Sequence, residues 1–104
     1  MNNRVHGTDM NTSEYRDLSI LMIFSNLQAI KEYQRSKFNL PSPVGVVNDR
    51  SGNKMIFADA SASGKHLSGL RVDKVIIFSR HLKDSIVDEV NIMSLRGAEV
   101  LESE

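Results

Sequence analysis

The sequence predicts a single small α/β domain in which a three- to four-stranded sheet, including a β-hairpin, is covered by two helices. Three observations carry this expectation. Val75, Ile76 and Ile77 form a β-branched apolar run of the kind that fills a strand buried on both faces. Two short apolar runs, Val44–Asn48 and Lys54–Ala58, flank Asp49-Arg50-Ser51-Gly52-Asn53, the pattern of a hairpin around a glycine-containing loop. Leu82, Ile86, Val90 and Met93 then recur at helical spacing before Gly97.

Taken in order, residues 1–13 hold too little apolar surface to offset ordering entropy and read as a flexible tail. The domain is expected over 14–97. Within it, residues 14–38 lack glycine and proline and admit two readings. In one, Leu18–Phe24 is a buried strand, and Ser25 caps a helix Asn26–Phe38 through the capping box Ser25-x-x-Gln28, with Leu27, Ile30 and Tyr33 or Gln34 inward. In the other, the segment is one long helix. The isoleucine-rich run favours strand then helix. Pro41 and Pro43 end that helix, because the residue before a proline is pushed out of the α region. Asp59–Ser68 is rich in serine, alanine and glycine and reads as a loop. Asp73–Phe78 is the central strand, Arg80–Leu95 the second helix, and 98–104 an acidic tail that frays.

Composition narrows the function classes. A chain of 104 residues with 40% hydrophobic and 25% charged side chains has room for one core and is not of the disordered type. Thirteen basic and thirteen acidic side chains give no net charge, so there is no global drive toward phosphate backbones. Tryptophan is absent and aromatics make up 6%, which leaves no platform for stacking unpaired bases. Without cysteine there is no disulfide, thiolate zinc site or cysteine nucleophile. No apolar run is long enough to span a bilayer and the first residues lack a signal-peptide core. A cytoplasmic protein with no membrane partner is the expectation.

Candidate chemistry is sparse. Asp59-Ala-Ser-Ala-Ser-Gly64-Lys65-His66 has the outline of a phosphate-binding loop, but Asp59 stands where the first glycine belongs and His66 where the metal-binding hydroxyl belongs. Gly69 leaves no room for the helix that should follow. The segment is therefore read as a polar loop. His6, His66 and His81 are too far apart in sequence to share a metal by i,i+4 spacing, and no metal or cofactor is expected. Asp84 and Asp88 share a helix face opposite Ile86 and Val90 and read as a solvated acidic face. No serine is set in a nucleophile elbow.

The middle of the chain carries one resemblance. A strand and helix over Leu18–Phe38 precede a hairpin ending Gly52-Asn53-Lys54-Met55-Ile56-Phe57; then come Ser61-x-x-Gly64, Leu67-x-Gly69-Leu70-Arg71 and the strand Val75–Ile77. This order, over residues 18–80, resembles the central part of the ATPase core of phage large terminases and related helicases. There the hairpin carries Gly-Ser-x-Ile-x-Phe and the loop a Leu-Arg-Gly-like turn. In such a motor the last strand ends in Asp-Glu, which holds the Mg²⁺ shell and polarises the attacking water. Phe78 and Ser79 occupy those positions here. A phenyl ring offers no oxygen to a hard cation, and a serine is too weak a base to activate water. The resemblance thus implies a motor-like core without its phosphate loop or its acids, and no enzyme.

Lys65, His66, Arg71, Lys74, Arg80, His81 and Lys83 bracket the central strand. Of these, Lys65, His66, Arg71 and Arg80 are the candidate binding residues, a solvated rim being the plainer reading of the stretch. The expected function is that of a small non-catalytic interaction module, a phage- or mobile-element-type accessory or inhibitor protein acting by binding another protein. The alternative is a nucleic-acid-binding remnant of a terminase- or helicase-like core, with Arg50, Lys65, Arg71 and Arg80 on phosphates.

Overall fold

The computed structural model describes residues 16–61 and 64–103; the tail expected over 1–13 lies outside the described residues. The order is β1 (Ser19–Phe24), α1 (Leu27–Phe38), β2 (Val46–Asn48), β3 (Lys54–Asp59), a 3₁₀ turn (Gly64–Leu67), β4 (Lys74–Ile77), α2 (Asp84–Leu95) and β5 (Glu99–Glu102). Of the two readings of 14–38, strand then helix is the one the chain adopts.

The strands form a five-stranded sheet in the order β2-β3-β1-β4-β5. β1 is parallel to both β3 and β4, with Leu21 beside Ile56 on one side and Val75 on the other. β4 and β5 are parallel, and β2 closes the far edge antiparallel to β3, Val46 facing Ile56. A strand paired on both edges and covered on both faces has no solvated side, hence the unbroken apolar run Ile20–Phe24, all of it buried.

The alternation of side chains divides the core into two layers. Leu21, Ile23, Val75 and Ile77 pack on one face with Leu67 of the 3₁₀ turn and Ile86, Val90 and Met93 of α2. Ile20, Met22, Phe24, Met55, Phe57 and Ile76 pack on the other, with Ile30 of α1 and the half-buried Tyr33 and Phe38. One helix therefore covers each face. Each fully buried aliphatic side chain here contributes about 1.5–3 kcal/mol relative to exposure.

Several expectations are corrected in detail. The sheet has five strands, not three or four, because the segment expected to fray from Ala98 contributes β5. Gly97, at φ 105°, turns the chain after α2, and Glu99–Glu102 then pairs along β4. The Lys74 ammonium forms an ion pair with Glu99 across that pairing. The cap of α1 is Asn26, not Ser25: its carboxamide accepts the Ala29 N–H at 2.9 Å. Gln28 donates to Glu32 rather than reaching back to a capping box. Leu27 is exposed, while Ile30 and Gln34 point inward. α2 begins at Asp84 instead of Arg80, and Leu82 meets the core from the preceding loop.

Two buried polar side chains replace missing ladder bonds. The Gln34 carboxamide donates to the Val44 carbonyl at 2.8 Å and accepts the Val44 N–H at 2.9 Å, pinning the approach to β2 against α1. Asn53 accepts the Leu18 N–H at 3.0 Å and donates to Asp49, tying the hairpin loop to the start of β1.

Candidate functional site: the crevice at the carboxyl ends of β1 and β4

The strand order locates a site before any side chain is considered. From β1 the chain passes through α1 on one face to β2 and β3. It then returns across β1 to β4 and leaves through α2 on the opposite face to β5. The connections after β1 and β4 thus diverge, and between their carboxyl ends the sheet opens into a crevice. Open α/β sheets bind ligands at such a reversal.

An open crevice of about 660 Å³ lies at this place. Ser25 comes from the β1–α1 junction and Ala60 and Ser61 from the end of β3; the β4–α2 loop supplies Phe78, Ser79 and the run from Arg80 to Lys83. The charged side chains in its lining, Arg80 and Lys83, are both cationic, and His81 stands between them. The helices on either side both begin here, Asn26 capping α1 and Lys83 standing at the cap position of α2 without a side-chain cap bond. Helix N-termini add partial positive charge to the same space. The crevice is therefore suited to an anionic group.

The polar groups around it are largely committed to local turns. Ser79 Oγ donates to the His81 carbonyl at 3.0 Å and accepts the His81 N–H at 3.3 Å, folding the β4–α2 loop. Asp59 accepts both the N–H and the hydroxyl of Ser61, at 2.8 and 2.7 Å. Phe78 stacks on Phe24 at a centroid distance of 4.4 Å and closes the apolar end of the crevice. Among the described residues no three His, Cys, Asp or Glu side chains come together as a metal site.

The four residues expected to bind do not form one patch. Arg80 lines the crevice. Arg71 precedes β4 and Arg80 follows it, so a strand of about 10 Å separates them, and Arg71 lines a different hollow with Leu70, Val72, Met93 and Arg96. Lys65 and His66 are exposed on the 3₁₀ turn and line neither. Gly64, expected in a polar loop, has a packing role: its N–H donates to Ser85 Oγ at 3.0 Å where the turn meets α2. The loop residues Ser25, Ser61, His81 and Lys83 were not singled out together, because only the crossing of the chain from β3 over β1 to β4 gathers them.

No family model matches the chain, and neither a curated protein nor a solved structure matches it significantly. The class that fold and crevice define is a doubly wound α/β domain with a basic carboxyl-end cleft. No helix among the described residues is long and apolar enough to cross a membrane.

Proposed function

We propose that this chain is a non-catalytic interaction module that acts by binding another protein, and that the crevice at the carboxyl ends of β1 and β4 receives an acidic group of that partner. The observation that carries the reading is the coincidence of the strand-order reversal with a lining whose charged members, Arg80 and Lys83, are both cationic. A carboxylate seated there meets a guanidinium, an ammonium and two helix N-termini. Phe78 and Ser79, standing at the acid positions of the terminase-like pattern, support a role without ATP chemistry. An accessory or inhibitor protein of the phage or mobile-element kind accords with the resemblance over residues 18–80.

The test is a comparison of wild type with Arg80→Glu/Lys83→Glu in pull-downs from native lysate read by mass spectrometry. A protein captured by wild type and lost from the variant, with the variant's circular dichroism unchanged, is the expected result. Capture that ignores both residues sinks the assignment to this surface.

The second reading, a nucleic-acid-binding remnant, draws on the same basic lining and on the resemblance. It separates by salt. Affinity for nucleic acid falls steeply with log[salt], in proportion to the phosphates neutralised. Affinity for a protein surface with an apolar centre does not.

A further inference from the structure

A second hollow lies at the opposite end of the sheet, where the turn before β4 meets the end of α2. It encloses about 350 Å³ between Leu70, Arg71 and Val72 on one side and Met93 and Arg96 on the other. The floor is apolar: Met93 is buried, and Leu70 and Val72 pack against the same core layer. The rim is cationic, since both charged lining residues are arginines. Among the described residues neither guanidinium has an ion pair or a side-chain hydrogen bond. Along α2, Ile92 precedes Arg96 by one turn and Leu95 follows Ile92 at i+3, so the apolar surface continues from the rim. Leu95 is 88% exposed and Ile92 40%, although both are large and apolar.

We infer that this hollow docks an acidic peptide segment of a partner protein, one apolar side chain of the segment resting on the Met93 floor and its carboxylates pairing with Arg71 and Arg96. The volume is at the small end of ligand pockets and suits one or two side chains. Charge complementarity selects the occupant: an apolar floor between two guanidinium groups matches a hydrophobic anchor flanked by carboxylates, with bidentate pairing available to each arginine. Nucleic acid is a poorer match, because the floor offers phosphates nothing and the chain carries no net charge. A second copy is disfavoured too. A two-fold interface sets the same patch against itself, which here brings four guanidinium groups together without an acid between them. The site is separate from the crevice, so the failure of either leaves the other standing.

The experiment uses the full chain labelled with ¹⁵N and a short synthetic peptide with a central leucine flanked by glutamates. Control peptides replace the leucine by glycine or the glutamates by lysines. Amide shifts confined to Leu70–Val72 and Met93–Arg96 are expected. Binding should weaken about tenfold or more with the glycine peptide, which loses the apolar anchor, and further with the lysine peptide or with Arg71→Glu/Arg96→Glu, which replace both charge pairs by repulsion. Absence of shifts at millimolar peptide overturns the inference, as does equal binding of the lysine peptide. Shifts that map to Arg80–Lys83 instead assign the peptide to the crevice and also overturn it. Sedimentation that shows self-association abolished by Leu95→Ser identifies a second copy as the occupant and does the same.

Discussion

The rings of Phe24 and Phe78 stack at the carboxyl ends of adjacent strands, 4.4 Å between centroids and 10° from parallel. Tyr33 of α1 leans on both, at 5.1 and 5.8 Å. Phe78 N–H also donates to the Ile23 carbonyl at 2.7 Å, so the ring position follows from the β1–β4 pairing. Phe78 is thus a packing residue at the end of β4.

Placing acids at the end of β4, Phe78→Asp with Ser79→Glu, should therefore destabilise the protein and confer no ATP turnover. Loss of the stacked ring and a carboxylate set against Phe24 together cost about 2–4 kcal/mol. Urea melts measure the first effect and a phosphate-release assay the second. Turnover that tracks the introduced acids would overturn the reading.

Gln34→Leu keeps the side chain's size and removes both bonds to Val44. Val44 is itself exposed, so water can replace the lost partners and each bond is worth about 0.5–1.5 kcal/mol. Stability should drop by that order, and the Val44 amide should exchange with solvent far faster than in wild type. An unchanged exchange rate would mean that β2 holds its own approach without Gln34.

Gly64→Ala should destabilise by about 1–3 kcal/mol, since overpacked sites force backbone shifts. An added Cβ would stand 2.6 Å from the Ser85 carbonyl carbon, backbone that cannot swing aside. Gly45→Ala is the control, because nothing lies within 4 Å of its Cβ position. Equal midpoints for the two variants in a thermal melt would show that the 3₁₀ turn does not press on α2.

Burial raises the Tyr33 hydroxyl above its ordinary value of 10.0. The folded state then holds this proton more tightly than the unfolded chain does. Stability from Tyr33 is fully present below pH 10.0 and is lost as pH rises beyond it, where the unfolded chain releases the proton first. Urea midpoints of wild type should fall more steeply across that range than those of Tyr33→Phe. Parallel curves for the two proteins would place the hydroxyl in water.

Local chemistry made much of the fold legible in the sequence. The hairpin followed from two apolar runs around Gly52, β4 from Val75–Ile77, and the inward face of α2 from the spacing of Ile86, Val90 and Met93. Each is a periodicity or a turn preference that acts over a few residues. The strand reading of Leu18–Phe24 also rested on local composition, although a helix satisfied the same run until two parallel neighbours supplied its hydrogen bonds. Tertiary structure alone decided the rest. Glu99–Glu102 has no strand signature of its own and becomes β5 because β4 offers it an open edge. Gln34 is buried because Val44 presents two backbone groups opposite it. Arg71 and Arg80 looked like neighbours in one basic stretch, yet an extended strand carries its ends apart, and the sheet delivers them to two different hollows. The crevice itself is a consequence of strand order, which depends on pairings between residues far apart in the chain and leaves no mark in any short window of sequence.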